Sequence, residues 1–483
     1  MSEKTPLLLW FRQDLRLGDN PALRAAAATG QPIVPIFIHD EEGAGAWSAG
    51  GASRWWLDKS LRALAASLGA LGTSLVLRTG PASEVLKGLV SETKARAVYW
   101  NRCYEPFAVA RDKALMASLK SDGLKVKTFN GALLFEPWEV ETGSGTPYKV
   151  FTSFWKAARQ GATPHQPAPA PTTLKSVKKP PASEDLDDWG LHPSNPDWSA
   201  GFNPVWTPGE AGALARLDDF LDEAVNTYSE DRDRPDLEGT SRLSPHLHYG
   251  EISPRTVWHA TMSRADAGKI SAQGADKFLA EIGWREFSNH LLFHFPQITT
   301  DNLQSKFDAF PWSSSQERLH AWQRGRTGYP IVDAGMRQLW TTGWMHNRVR
   351  MIVGSFLVKH LLIDWRAGER WFWDTLVDAD MANNSASWQW VAGCGADAAP
   401  YFRIFNPMLQ AAKFDPGGEY IRRWVPELKD LPTKHLYEPW AAPDTLLKSA
   451  GVVLGETYPK PIVDHKEARK RALDAFDKVK QAA

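Results

Sequence analysis

The sequence predicts an α/β amino-terminal domain with a parallel, doubly wound sheet, followed by an all-helical carboxy-terminal domain. Three observations carry this. Short apolar runs alternate with helical patterns through the first 130 residues, a stretch rich in Pro, Ser, Lys and Asp follows from about 160 to 205, and helical periodicity dominates from about 206 onward. The expected boundaries are residues 1–130, a connecting segment over 131–205, and a helical domain over 206–483.

Taken in order, Leu7–Phe11, Pro32–Ile38, Ser74–Arg78, Ala97–Trp100 and Lys125–Phe129 read as strands, four or more residues of mainly apolar or β-forming character. Between them, Asn20–Ala28, Ser53–Leu71, Ala82–Lys94 and Phe107–Leu119 read as helices. Such alternation buries a parallel sheet under helices on both faces, and the crevice at the carboxyl ends of its strands is a usual ligand site. The run TPHQPAPAPTTLKSVKKPP reads as a linker over the surface. Beyond it, Ala211–Tyr228, Pro254–Arg264, Ala275–His294, Glu317–Arg324, Ile331–Thr341, Asn347–Leu362 and Glu467–Lys480 carry helical spacing, and no internal repeat is visible.

The 483 residues hold 56 Lys and Arg against 56 Asp and Glu. That balance excludes a strongly basic nucleic-acid carrier; binding to DNA then requires positive charge gathered on one face. Two cysteines give neither a disulfide framework nor a metal-ligand spacing, which suits a reducing, cytoplasmic setting. The apolar run near the start is cut by Arg12, Asp14 and Arg16, too short for a signal-peptide core, and no stretch approaches a membrane span. Tryptophan is plentiful, at 23 copies; core packing accounts for most, yet Trp344, Trp365, Trp371, Trp373, Trp388 and Trp390 sit beside polar motifs. Stacking platforms and electron relays both need indoles.

Four segments carry candidate chemistry. In YSEDRDRPDLEGTSRLSPHLHYGEISPR, which begins at Tyr228, the hydroxyls of Thr240, Ser241 and Ser244 gather before a helix, where they either receive a diphosphate or provide a helix cap, which needs only one of them. In FLAEIGWREFSNHLLFHFP, Glu281 and Arg285 share a helix face with Trp284 beside them: an exposed ion pair, or a grip on a stacked base. In TGYPIVDAGMRQLWTTGWMHNRVRM, Arg348 and Arg350 are either phosphate contacts or solvated arginines. In DWRAGERWFWDTLVDADMANNSASWQWVAGCGADAAPYFRIFNP, Asp380, Asn384 and Trp388 fall on one stripe if helical. Asp378 and Asp380 lack a third ligand at metal spacing, so no metal is expected.

These segments, together with the opening LLLWFRQDLRLGDNPAL, resemble the photolyase/cryptochrome family in order and over nearly the whole chain. The resemblance implies an α/β antenna domain joined to a helical flavin domain. It implies light-driven repair of cyclobutane pyrimidine dimers in DNA, by a deoxyribodipyrimidine photo-lyase activity, in a monomer without membrane attachment. A blue-light-sensing cryptochrome and a (6-4) photolyase are the alternatives.

Carried over by position, Tyr228 with Thr240, Ser241, Arg242, Leu243 and Ser244 would hold the FAD diphosphate region. Asp378, Ala379 and Asp380 would contact the adenine–ribose or flavin side; Phe278 and Arg285 would complete the cofactor set, although some relatives have Trp in place of Phe278. Arg350 would sit by the isoalloxazine and pair with an aspartate, and Asn384 would face flavin N5. The working flavin of the family is the reduced anion. An acid at N5 can supply a proton and favour the neutral radical, whereas an amide only hydrogen-bonds. Plant-type cryptochromes carry Asp there, so Asn384 favours repair.

Trp284 and Trp390 would sandwich a flipped lesion, with Met351 alongside. Glu281 and Asn347 would bind base edges, the carboxyl of Glu281 being raised in pKa by burial among aromatics. The (6-4) enzymes place two consecutive His in this stretch; here His346 is followed by Asn347. Arg232 and Arg348 would contact flanking phosphates. Trp388, Trp365 and Trp312 match the tryptophan chain that reduces oxidised flavin in light, their alternative being core packing. The antenna is read as methenyltetrahydrofolate, then a deazaflavin. Phe107 and Ala108 stand where folate-binding relatives carry an Asn-Glu pair, which leaves Tyr104 and Glu105 as contacts.

Overall fold

The chain was described from a computed structural model covering residues 5–161 and 163–482. The first four residues of the expected α/β domain, linker residue 162 and the final residue 483 lie outside the described residues.

Five parallel strands form one sheet in the order β3-β2-β1-β4-β5: β1 Leu7–Phe11, β2 Ile33–His39, β3 Val76–Thr79, β4 Ala97–Asn101 and β5 Lys125–Phe129. The central strands β1 and β4 are buried along their whole length, as strands covered on both faces require. Strand β5, at the edge, exposes Lys125 and Lys127, and charged residues there discourage pairing with another chain. The intervening helices are α1 Pro21–Ala27, α2 Gly51–Ala70, α3 Ala82–Thr93 and α4 Pro106–Ser121. Asn20 caps α1 by accepting from the Leu23 N–H, with Pro21 preset for the first turn. Strand order reverses about β1, between β2 and β4, so a crevice opens at the carboxyl ends of these strands.

Residues 131–205 connect this layer to the helices and contain α5, Phe151–Gly161. Phe154, Trp155 and Ala158 bury one face of α5 against α10, Ala272–His294, the longest helix among the described residues. A Cβ at Gly283 of α10 would lie 2.6 Å from the Trp155 ring, so the close approach needs glycine.

The remaining layer is helical. It includes α6 Glu210–Glu223, α7 Tyr228–Asp231, α8 Ser244–His248, α9 Pro254–Asp266, α10 Ala272–His294, α11 Gln316–Gln323, α12 Pro330–Thr342, α13 Asn347–Ser355, α14 Trp365–Thr375 and α15 Met381–Ala392. The expected single helix Ala211–Tyr228 is broken: α6 ends at Glu223 and Tyr228 opens a new turn. The expected Asn347–Leu362 helix widens into a π turn at Phe356–His360, where His360 Nε2 meets His465 Nδ1 of the last helix at 2.9 Å.

The two layers are stitched by buried polar contacts. Arg16 donates to the Gly250 carbonyl at 2.8 Å, Arg255 pairs with Asp19 at 2.8 Å, and the Glu286 carboxylate accepts from the Leu134 N–H at 2.8 Å. Gly250, at φ 63°, lies so close to Gln13 that a Cβ would come within 2.1 Å of its carbonyl oxygen. No helix among the described residues is long and apolar enough to cross a membrane.

Candidate functional site

A cavity of about 510 Å³ opens in the helical layer, within the range of small-molecule and cofactor sites. Its walls come from α7 and the loop to α8, from the middle of α10, the start of α13, the end of α14, the Asp378–Asp380 link and α15. It gathers most of the predicted site residues: Tyr228, Arg232, Ser241, Leu243 and Ser244; Phe278, Glu281, Trp284 and Arg285; Asn347, Arg348, Arg350 and Met351; Asp378, Ala379, Asp380, Asn384 and Trp390. They come from segments up to 162 residues apart, between Tyr228 and Trp390, and only the tertiary fold joins them.

At one end the chemistry is that of an anion and hydrogen-bond cradle. The short helix α8 begins at Ser244 without a side-chain cap, so the hydroxyls before it are not consumed in capping. Ser241 Oγ accepts from the Leu243 N–H at 3.4 Å, and Ser241 and Ser244 both line the cavity. Thr240 and Arg242 do not line it. Arg242, held at φ 50°, turns away to ion-pair with Glu238 and lies 5.0 Å from the Trp344 ring centre. Phe278 and Tyr228 meet edge to face at 5.8 Å.

Arg350 donates from Nη2 to both Asp378 oxygens, at 2.9 and 3.1 Å, and from Nε to the Met345 carbonyl at 2.7 Å, with Asp378 buried. Asp380 caps α15 by accepting from the Asn383 N–H at 2.8 Å. Burial opposes its charge, but His248, 3.6 Å away, and the Asn383 N–H hold the Asp380 carboxyl below the usual carboxylate range. Asn384 follows one turn on, buried, its amide N–H donated to the Glu369 backbone carbonyl at 3.0 Å. Arg285 spends its guanidinium on the Ala132 carbonyl, at 2.8 Å, and on Glu286, so it tethers the cavity to the connecting segment.

At the mouth lie Trp284, Glu281, Asn347, Met351 and Trp390. Glu281 departs from expectation. It is not sealed among aromatics: its side chain is 25% exposed, ion-paired with Arg232, with Lys277 at 3.5 Å. Arg348 pairs with Asp233 at 2.6 Å and lies 4.4 Å from the Phe414 ring. His346 caps α13 by accepting from the Arg348 N–H, and burial pushes its imidazole down to about 3, so it stays neutral at physiological pH.

Trp388, Trp365 and Trp312 stand outside the cavity wall. Trp388 is buried against Phe372, 5.0 Å edge to face, and a Cβ at Gly368 would collide with it at 2.1 Å. Trp365 is buried with its indole N–H on Asn302 at 2.9 Å, and Trp312 is partly exposed beside Phe310 at 4.3 Å. Trp388 and Trp365 are thus both buried, and only Trp312 is partly exposed.

A second crevice, of about 190 Å³, occupies the carboxyl ends of β1 and β2 and the loop after β4. It is lined by Trp10, Arg12, His39, Trp47, Glu105, Phe107, Ala108 and Trp373, among others, and shares His248 and Ala379 with the larger cavity. Glu105 accepts from the Gln13 amide at 2.6 Å through one oxygen; the other is buried without a partner. Tyr104 does not reach this crevice, because Glu136 captures its hydroxyl at 2.8 Å. His248, Phe372 and Asn383 line the larger cavity without having been singled out in the sequence; His248 lies in SPHLHYGE, a stretch legible only for its hydroxyls.

The chain is similar to known proteins over both of its layers. Residues 7–172 match the DNA photolyase family model, and residues 278–478 match the FAD binding domain of DNA photolyase. The chain is 55% identical over its full length to a deoxyribodipyrimidine photo-lyase of Agrobacterium fabrum, of which it covers 100%. It is 41% identical to cryptochrome-2 of Arabidopsis thaliana, covering 80% of that chain with all of its own. Among solved structures it is similar to a bacterial class III photolyase from Agrobacterium tumefaciens, with a TM-score of 0.97, 54% identity, and 100% and 99% of the two chains covered.

Proposed function

Because the chain belongs to the DNA photolyase and cryptochrome family, we propose that it uses light to repair cyclobutane pyrimidine dimers in DNA. One observation carries the reading: a single cavity is lined both by an anion and hydrogen-bond cradle and by two indoles with a carboxylate and an amide.

The residues present fit FAD. The volume suits a cofactor, the hydroxyls of Ser241 and Ser244 that line the cavity suit a diphosphate, and the Arg350–Asp378 pair suits the edge of a polar ring system. When bound in its reduced state, FAD supplies an excited-state electron to the dimer and takes it back after the cyclobutane bonds open. The chain's own groups position and insulate. Asn384 donates one amide N–H to the Glu369 carbonyl, which leaves its oxygen and second N–H for a partner in the cavity; the oxygen suits an N–H. It is not an acid, unlike the residue at this place in plant-type cryptochromes.

Trp284 and Trp390 provide the faces on which an extruded dimer stacks, at roughly 1–3 kcal/mol per base. That offsets the few kcal/mol needed to flip a nucleotide, a cost that is lower where damage already weakens pairing. Glu281 and Asn347 accept from and donate to the pyrimidine edges. Arg232 and Arg348 exchange their present carboxylate partners for flanking phosphates. Asn347 at the second place of the His346–Asn347 pair favours cyclobutane dimers over (6-4) products.

The antenna belongs in the crevice at the strand ends, where the unpartnered Glu105 oxygen suits an N–H donor of a folate-type pterin. Two shared wall residues, His248 and Ala379, make the crevice and the cavity neighbours, which suits energy transfer. Light sensing is the second reading, favoured by the 41% identity to a plant cryptochrome. Holoprotein mixed with an oligonucleotide holding one thymine dimer distinguishes them: illumination restores the thymines if the enzyme reading holds, while light-induced flavin spectra with an untouched dimer overturn it.

A further inference from the structure

Trp284 presents its indole to the cavity, but its ring is already stacked on another. Phe151, the first residue of α5, lies against it with centroids 3.8 Å apart and planes at 10°. Phe151 itself does not line the cavity, so it covers a face of Trp284 turned elsewhere and leaves the opposite face for a ligand. Behind it the column continues to Trp155, at 6.4 Å and 13°, and Phe287 closes the side at 6.0 Å, edge to face.

The start of α5 is also tied to the far side of the mouth. The Phe151 N–H donates to Asp397 Oδ2 at 3.1 Å. Asp397 lies in the loop that leaves α15 just after Trp390, and it is held at φ 48°. One residue of the connecting segment thus backs one indole by stacking and grips the loop beside the other by a hydrogen bond.

We propose that Phe151 is a positioning residue for lesion recognition, setting the orientation of Trp284 and, through Asp397, its separation from Trp390. This rests on the reading that Trp284 and Trp390 clamp an extruded dimer. Without an aromatic ring behind it, the indole swings into the vacated space and the clamp loses registration. Discrimination between damaged and intact DNA then falls, while cofactor binding and phosphate contacts, made by other residues, do not change. An offset-stacked pair of this geometry corresponds to roughly a three- to tenfold effect on binding.

The test measures the Kd of the holoprotein for a duplex with one thymine dimer and for the same duplex undamaged, together with the repair rate of saturated, pre-reduced protein. Phe151→Leu is expected to weaken dimer binding by roughly tenfold, with the undamaged Kd and the flavin content unchanged; Phe151→Tyr restores binding. Asp397→Gly removes the acceptor without strain at positive φ and shows a smaller loss, which Asp397→Asn, retaining an oxygen acceptor, reverses. Trp284→Leu in parallel separates the layers of the argument. If Trp284→Leu loses discrimination while Phe151→Leu and Asp397→Gly keep it, the positioning role is overturned and the clamp stands. If Trp284→Leu itself keeps full discrimination, the clamp reading falls and the inference with it. Tighter dimer binding by Phe151→Leu also overturns the proposal, because Phe151 then occupies the face the lesion needs.

Discussion

The side-chain amide of Asn384 donates to the backbone carbonyl of Glu369 at 3.0 Å, across the packed helices α15 and α14. The bond orients the amide: one N–H is spent on the carbonyl, and the oxygen, with the second N–H, remains for a partner beside the cavity. An aspartate in its place gains a proton whenever its pKa permits, and turns acceptor into donor. Asn384→Asp is therefore expected to strengthen the long-wavelength flavin absorbance that blue light produces from oxidised holoprotein. Spectra superimposable on those of the parent remove Asn384 from the flavin N5 position.

Glu369 itself sets a pH dependence. Burial pushes its carboxyl from an ordinary 4.5 up to about 8, against an opposing hydrogen bond from Ser385. The folded state thus holds a proton that the unfolded state has released, so stability falls as pH rises from about 4.5 towards 8 and levels off beyond. Glu369→Gln, which cannot ionise, is expected to be more stable than the parent by an amount that grows by about 1.4 kcal/mol per pH unit across that window. Denaturant midpoints at several pH values measure this; parallel curves for the two proteins count against a protonated Glu369.

Trp388 is buried with its indole N–H unpartnered, so Trp388→Phe removes no hydrogen bond. The variant is expected to lose photoreduction of oxidised flavin while repairing dimers at the parental rate once chemically reduced. Loss of repair by the reduced variant assigns Trp388 to the site itself instead of the relay.

The Arg350–Asp378 pair joins a buried carboxylate to a partly exposed guanidinium. Arg350→Ala strands the carboxylate, at a cost of about 2–3 kcal/mol. Purified variant is expected to retain less flavin and to unfold earlier; Arg350→Lys keeps the charge but not the fork and should fall between. Flavin stoichiometry by absorbance decides the matter, and full occupancy in Arg350→Ala excludes the pair from cofactor binding.

At the mouth, Arg232 now holds Glu281 and is expected to release it on meeting a phosphate. Arg232→Ala should weaken damaged and intact DNA alike and lower the slope of log affinity against log salt by about 1. Glu281→Ala should leave affinity for intact DNA in place and reduce repair yield. An unchanged salt slope removes Arg232 from the backbone contacts.

The α/β layer is written plainly in the chain, because a strand covered on both faces must be continuously apolar, as LLLWF is. Helix α5 is also legible afterwards, from Phe151, Phe154, Trp155 and Ala158 at helical spacing, but Pro- and Gly-rich surroundings mask it. The break before Tyr228 is not legible: local helical pattern continues through it, while in the fold Tyr228 packs edge to face against both Phe220 and Phe278. Arg242 and Tyr104 show the same limit. One has a left-handed backbone and lies beside the Trp344 ring, the other is captured by Glu136, and neither Trp344 nor Glu136 is near in sequence. The pairing of Glu281 with Arg232, 49 residues away, likewise belongs to the tertiary structure.

Everything about the cavity converges on one measurement. Pre-reduced holoprotein is illuminated without oxygen in the presence of three matched oligonucleotides, one with a thymine cyclobutane dimer, one with a (6-4) product and one undamaged, with dark controls. Restoration of the cyclobutane dimer alone, and only in light, is the expected result. Restoration of the (6-4) product, or no restoration of either lesion by flavin-replete protein, contradicts it.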